Sequence, residues 1–361
     1  MGRVRTKVCK TMLVLALWLA VSSLASAQSS AVQNCHPGCR CDVESFGLFH
    51  SFSLTRVDCS GLGHGSTMPI PIPLDTAHLD LSYISISGPL TDNMLSGPGY
   101  TTLVSLDLSG NHITTVSPNA LSRLRYLESL DLSHNNLAAL APDFFSGLPL
   151  SEVDLSHNDF EDFDMNVFAT KVTREPVTVD LSNNRLARMS TAARGKTLHI
   201  QSLNLTANRF TSVPKLTRLP LWYLNIDANP VKRIEEGAFS QLEDLVYLSI
   251  GGNRELQVIE PFAFKGLPNL QVLDLSNNPN LKRLDPKVFA GLDSLQELNL
   301  SQSGVSSLPN EMLAHLPSIK SIKLGENIRC WKTRKQGQFH LHLGQQQPTE
   351  VLNCNVEGIG L

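Results

Sequence analysis

Between Cys59 and Cys330 the chain has no cysteine. That gap excludes a disulfide staple, a thiolate metal site and a cysteine nucleophile from most of the length. No apolar stretch approaches the roughly 20 residues that a membrane-spanning helix needs, and the C-terminus lacks the hydrophobic tail of a lipid anchor signal. Gly61, Gly63 and Gly65 form no phosphate cradle, because no strand-to-helix context follows them. Ser-Gly pairs such as Ser60-Gly61 and Ser96-Gly97 lack acidic flanks, which argues against an attached glycosaminoglycan. An enzyme needs a convergent set of acid, base or nucleophile. Here the polar residues lie in regular ladders, so catalysis is not expected, and neither a cofactor nor a nucleic-acid partner is called for.

What the chain does have is a period. L-D-L-S-H-N at Leu130 to Asn135 returns as V-D-L-S-H-N at Val153 to Asn158, and variants recur about every 24 residues. The Asn position is filled by Asn111, Asn135, Asn158, Asn184, Asn208, Asn229, Asn253, Asn278 and Asn327, with Ser303 between the last two and Ile84 in the first, poorest copy. Eleven coils result, their marker positions 21 to 27 residues apart. A period in this range with L-x-x-L-x-L-x-x-N is the leucine-rich repeat signature. The expected fold is an α/β solenoid: one curved horseshoe with short parallel strands on its concave face. The apolar residues three and five positions before each Asn share one face of a strand and make the core. The Asn amide, buried at the bend, can pair with backbone groups of its own and the adjacent coil.

The convex half of each coil carries Phe145, Phe168, Phe239, Phe264 and Phe289 at one position, a column that reads as a spine filling the wide side of the stack. Arg254-Glu255-Leu256 and Pro279-Asn280-Leu281 each hold one residue more than the pattern, so a bulge near the loop edge is expected.

The ends suggest a compartment. Arg3, Arg5, Lys7 and Lys10 precede an apolar run from Met12 to Leu24 that closes in Ala25-Ser26-Ala27, the pattern of a secretory signal peptide cut before Gln28. Residues 1–27 hold four basic and no acidic residues, so removing them takes the formal net charge from −3 to −7. Cys9 leaves with the leader. Cys35, Cys39, Cys41 and Cys59 fall in an N-terminal cap (28–60), and Cys330 and Cys354 in a C-terminal cap (329–361), on either side of the repeats (61–328). In an oxidising compartment such an even set reads as disulfides that cap the exposed ends of a solenoid. Six cysteines allow 15 pairings, and the wide separation of the two groups favours Cys330 with Cys354. A metal site at C-x3-C-x-C-x17-C is the weaker reading.

That cysteine pattern, followed by regular repeats and a two-cysteine cap, resembles the small leucine-rich proteoglycan family, in particular its class with a long last cysteine gap. Four segments tighten the resemblance to one secreted member: Cys35 to Phe49, Ser51 to Gly63, Pro71 to Ser82 and Ser122 to Asn135. The resemblance implies pairings of Cys35 with Cys41 and Cys39 with Cys59. It further implies an extracellular modulator of developmental signalling that binds bone morphogenetic proteins, chordin, transforming growth factor beta, the Frizzled receptor in competition with Wnt, and Notch ligands. The wider family implies an alternative, a matrix organiser that binds collagen fibrils.

The residues offer a map of the concave face. Between the two strand leucines the column runs Asp80, Asp107, Asp131, Asp154, Asp180, Asn204, Asn225, Ser249, Asp274, Asn299, Lys323. Five consecutive carboxylates, about 5 Å apart, give that surface a negative potential that suits a basic partner. The competing reading is local: Asp next to Ser is repeat consensus, and its carboxylate can accept nearby backbone hydrogen bonds. Two residues earlier the column contains Tyr223, Tyr247 and Val272 side by side, an aromatic and apolar patch of the kind that anchors interfaces, although neighbouring tyrosines also pack simply on each other. Asn204-Leu205-Thr206 and Asn299-Leu300-Ser301 are glycosylation sequons in the acidic column. His340 and His342, with Arg329, Lys332, Arg334 and Lys335, read either as a solvated loop or as a patch for heparan sulfate. His112, His134 and His157 sit beside repeat asparagines as ordinary surface polar residues.

Overall fold

The leucine pairs of the repeat become strands three to five residues long. In the coil of Ser129–Asp131, Leu130 points inward and Leu132, just beyond the strand, is fully buried, while Ser129 and Asp131 face the other way and are half-buried. The computed structural model describes residues 35–46, 52–63, 67–169, 176–191, 198–217, 219–308, 311–325, 328–334 and 350–356. The leader, Gly65, Asn327 and the segment from Lys335 through His342 lie outside the described residues.

Fifteen strands form one sheet. Its eleven central members are parallel, and Leu79, Leu106, Leu130, Val153, Val179, Leu203, Leu224, Leu248, Leu273, Leu298 and Ile322 make one unbroken inward column. At the N-terminal end a hairpin of Arg40–Phe46 and Phe52–Asp58 lays its second strand parallel to Thr76–Asp80. At the other end Ile328–Arg334 turns back antiparallel on Ser321–Gly325, and Glu350–Val356 follows antiparallel to it. A parallel successor would need another full coil with another open face, whereas an antiparallel strand needs only a short return. Reversal therefore ends the stack on both sides. Disulfides join Cys35 to Cys41, Cys39 to Cys59, and Cys330 to Cys354, the last pair lying opposite each other in strand register.

The convex side is made of turns, two-stranded ribbons such as Asp162–Asp164 with Arg188–Ser190, and single 3-10 turns such as Met165–Phe168 and Pro286–Phe289. No α-helix occurs among the described residues, so the helical part of this solenoid is 3-10. The phenylalanine column is core: Phe145, Phe168, Phe239, Phe264 and Phe289 are all buried, with Phe145 on Phe168 at 4.9 Å and Phe239 on Phe264 at 5.7 Å between ring centroids.

The repeat asparagines tie coil to coil. From Asn111 to Asn278 their exposure is 0–7 %, so every amide atom must find a partner inside the protein. Asn158 shows the pattern: Nδ2 donates to the carbonyls of Leu132 in the preceding coil at 2.9 Å and Leu155 in its own at 3.1 Å, and Oδ1 accepts from the Leu137 N–H at 3.0 Å. The residue before each Asn takes left-handed backbone. His134, His157, Asn183, Ala207, Ala228, Asn277 and Gln302 have φ between 53 and 56°, a conformation that turns each N–H onto a carbonyl of the following coil, as Ala207 does to Asp227 at 2.9 Å.

Departures from the repeat are absorbed locally. Around Ile84 both Tyr83 and Ser85 are left-handed, and the Ile86 N–H is capped by Asn111 from the next coil. The extra residues after Asn253 and Asn278 form turns closed by the N–H groups of Leu256 and Leu281. Asn253 and Asn278 also turn Oδ1 to the N–H of the preceding asparagine itself, Asn229 and Asn253 respectively. Ser303 replaces the amide with a hydroxyl that donates to the Leu300 carbonyl at 2.7 Å.

An Asn158→Ala change leaves the Leu137 N–H unpaired in the core and takes one of two donors from the Leu132 and Leu155 carbonyls, which keep the amides of Asn135 and Asn184. An unpaired buried group costs about 1–3 kcal/mol, so a loss of that size is expected in denaturant unfolding with the disulfides intact. The exposed Asn136→Ala should stay within about 0.5 kcal/mol, and equal losses for the two would refute the ladder's role. Ala207→Gly should stabilise by about 0.5–1 kcal/mol, since alanine tolerates left-handed backbone poorly.

Candidate binding surface on the concave sheet

Two columns of side chains flank the inward leucines on the opposite face of the sheet. The first is the aspartate column, and strand register extends it by one residue: Asp58, in the cap hairpin, stands opposite Asp80. Six carboxylates from Asp58 to Asp180 are thus consecutive neighbours. Each accepts the N–H two residues ahead through Oδ1, at 2.7–3.0 Å. Asn204, Asn225, Asp274 and Asn299 do the same farther along. The column therefore serves the fold by capping the end of each strand, and it charges the face as well. Asp58 is held below the usual carboxylate range by hydrogen bonds from the Ser60 side chain and N–H and by the Arg40 guanidinium 3.0 Å away. Asp131, mid-ladder, is pushed up by burial and by the charges of Asp154 and Asp107, against the pull of its Ser133 hydrogen bonds.

The second column brings Tyr223, Tyr247 and Val272 into direct register. The tyrosine rings stack with centroids 4.9 Å apart and planes 12° from parallel. All three residues are half-buried. Tyr223 leans along its strand, its hydroxyl accepting from Asn225 Nδ2 at 3.5 Å. The Tyr247 hydroxyl is raised above its ordinary pKa by burial, with Asp274, Tyr223 and Asp227 adding to the effect. Trp222, 50 % exposed, sits outside this register at the strand's start.

Both sequon asparagines are hydrogen-bonded the same way. Asn204 Nδ2 donates to Asp180 at 2.8 Å and Asn299 Nδ2 to Asp274 at 2.7 Å, while each Oδ1 accepts the hydroxyl of its own Thr206 or Ser301. They stand one coil before Tyr223 and one after Val272.

Three features escaped the sequence reading. Asp58 lies before the first repeat and is invisible to a repeat alignment. His134 and His157 stack at 4.0 Å, and the basicity of His157 is lowered by burial and by His134 against the opposing pull of Asp154 and Asp180. Asp227 occupies the position that is serine or threonine in the preceding coils, and only the D-A-N spelling in place of S-x-N signals it. Its Oδ1 accepts from Ser249 Oγ at 2.7 Å and from the Gly251 N–H. Ser249 stands where the adjacent coils carry Asn225 and Asp274, so the cap for Gly251 comes from the coil before. Among the described residues no group of three or more His, Cys, Asp or Glu is placed to hold a metal ion, and no helix is long and apolar enough to cross a membrane.

The leucine rich repeat family matches residues 101–160, 219–279, 245–305 and 279–328. Tsukushi of Danio rerio is 58 % identical over 343 residues, covering 95 % of this chain and 98 % of that protein. The chain belongs to the Tsukushi family. Tsukushi of Gallus gallus is 55 % identical, covering 87 % of this chain and 85 % of the relative, and Tsukushi of Homo sapiens is 52 % identical, covering 93 % and 96 %. Among solved structures, a chain of the Toll–Spatzle complex of Drosophila aligns with a TM-score of 0.56 at 18 % identity, over 70 % of this chain and 35 % of that one, and shows the fold alone. A chain of the TLR13–ssRNA13 complex aligns at 0.51 and 25 % identity, over 69 % of this chain and 32 % of that one. The same fold thus occurs in much longer chains.

The raised pKa of Asp131 makes a test of the charged column. Stability linked to a carboxyl whose folded pKa is raised is present at low pH and lost as pH rises through the folded value. Asp131→Asn removes the charge and keeps an acceptor for the Ser133 N–H, as Asn225 does for Asp227. The variant should melt higher than the parent at pH 7, with the gap closing as pH falls through the carboxylate range and narrowing in salt. A gap independent of pH would count against repulsion along the column.

Proposed function

We propose that this protein is a secreted, non-enzymatic binding protein that modulates extracellular developmental signalling through its concave face. The candidate partners are bone morphogenetic proteins, chordin, transforming growth factor beta, the Frizzled receptor and Notch ligands. The observation that carries the reading is the stacked Tyr223–Tyr247 pair beside Val272 on an otherwise polar sheet. Rigid aromatic side chains supply large contact area at little entropic cost and dominate interface energetics. Secretion is supported by the leader pattern at residues 1–27 and by three disulfides at the chain's two ends. Membership of the Tsukushi family supports the signalling role over the collagen-binding one.

Glycans on Asn204 and Asn299 would frame the tyrosine pair. The two positions are four coils apart, roughly 19 Å at ordinary strand spacing, leaving room between them for a narrow partner element. Upstream of Asn204, Asp131, Asp154 and Asp180 form part of the acidic half of the face, which steers basic partners over a distance that salt shortens.

The test is a binding panel of the secreted, glycosylated protein against collagen, a bone morphogenetic protein and a Frizzled ectodomain. Tyr223→Ala and Tyr247→Ala should each weaken growth-factor or receptor binding by about tenfold or more. Collagen binding alone, indifferent to both substitutions, would refute the proposal. Asp131→Lys combined with Asp154→Lys should flatten the salt dependence of binding to a basic partner, and an unchanged slope would remove the acidic half from the interface.

A further inference from the structure

We infer that the half-buried carboxylate of Asp227, beside the Tyr223–Tyr247 pair, is the receptor for one basic side chain, arginine or lysine, presented by a loop of a partner protein. The inference rests on the concave-face reading and names the chemistry of the partner at its centre.

Asp227 has a structural duty that does not require its charge. Its Oδ1 caps the Gly251 N–H and accepts the Ser249 hydroxyl, and an asparagine oxygen would serve for both. The capping Asn204, Asn225 and Asn299 show that amides do this work in the same sheet. A carboxyl group stands here although burial and the nearby Asp274 disfavour its charged form. A carboxylate offers about four acceptor positions, so the donors from Ser249, Gly251 and the Asn225 amide leave capacity for one more from outside.

The surroundings fit a long cationic side chain. Asp227 lines an open groove of about 750 Å³ together with Ala228, Gly251 and Gly252, whose small or missing side chains let an incoming group approach the backbone there. Arg254 lines the same groove, and no ion pair joins it to Asp227 among the described residues. The phenol of Tyr247 lies within the electrostatic reach of Asp227 and Asp274. An arginine or lysine stem packs on aromatic rings while its head reaches a carboxylate, and the planar fork of arginine suits the pairing better. The carboxylate, the nearby phenols and the small residues of the lining thus complement a basic loop residue.

The experiment uses a displayed library of disulfide-closed ten-residue loops, selected on the folded, glycosylated full chain. Selected loops should be enriched in arginine or lysine. They should bind Asp227→Asn at least about tenfold more weakly and Asp162→Asn, on the convex side, unchanged. Asp227→Ser, which restores the residue type of the earlier coils, should show the same loss and covers the case in which the asparagine variant does not fold. Loops without a basic residue, or basic loops that bind both Asp227 variants like the parent, would overturn the inference. Loops that fail on Tyr223→Ala and Tyr247→Ala but ignore the Asp227 variants would overturn it while leaving the concave-face reading intact. Loops indifferent to all four would overturn both.

Discussion

The structure depends on a buried primary amide. A single asparagine side chain has two donors and an acceptor, and at each bend they are spent on carbonyls and an N–H of two successive coils. Because the amide is buried, leaving any of these groups unpaired is expensive, so neighbouring coils are held at one spacing and one register. Everything that makes the concave face a surface follows from that constraint. Side chains at equivalent positions become neighbours whatever their chemistry. The same rule places Phe239 on Phe264, Asp131 beside Asp154, His134 on His157 and Tyr223 on Tyr247.

The aspartate column shows how structural and surface roles share one residue. Each carboxylate ties one oxygen to the strand's end, which accounts for its recurrence, and a row of such groups carries a charge that capping alone does not need. Burial and like neighbours raise Asp131 while Arg40 and Ser60 hold Asp58 down, so the ladder is compensated at its cap and strained in its middle. Where serine takes the column at Ser249, the missing acceptor is replaced by Asp227 from the coil before. The fold tolerates a changed column as long as each strand-end N–H keeps an oxygen.

Sequence periodicity made the core legible because burial leaves a strong trace: Leu130, Leu132 and Asn135 each have one environment, and the spacing states it. The Tyr223–Tyr247–Val272 neighbourhood could be read from the same alignment, since register in a solenoid follows from the repeat. What could not be read lies where the alignment stops or where geometry is local. Asp58 belongs to a hairpin with no repeat spelling. The His134–His157 stack needs both the left-handed backbone and the ring orientation. The reversal of strand direction at both caps is a long-range choice with no periodic signature. The pairings of Cys35 with Cys41 and Cys39 with Cys59 came from family resemblance, because spacing alone leaves several pairings open among four clustered cysteines. Asp227 was spelled out in the sequence, but as an exception, and an alignment built on consensus passes over exceptions.

In the proposed function, recognition would rest on the exceptions. A column repeated unchanged from coil to coil looks the same to a partner shifted by one coil, so the Asp58 to Asp180 ladder can attract a basic protein without fixing its position. Long-range attraction of that kind raises the rate of encounter more than it sets the final affinity. Position must be fixed by residues that occur once. In this chain those residues gather in adjacent coils: the tyrosine pair, Asp227 with Ser249, and the bare edge at Ala228 and Gly252, bounded by Asn204 and Asn299. The amide ladder makes this division of labour possible, because it holds the irregular coils as firmly as the regular ones. A coil can lose its consensus aspartate and serine and still present its remaining side chains at fixed spacing, provided Asn229 and Asn253 keep their bonds. The rigidity that makes the repeat monotonous is thus what would let a few unrepeated side chains serve as the preorganised site proposed above.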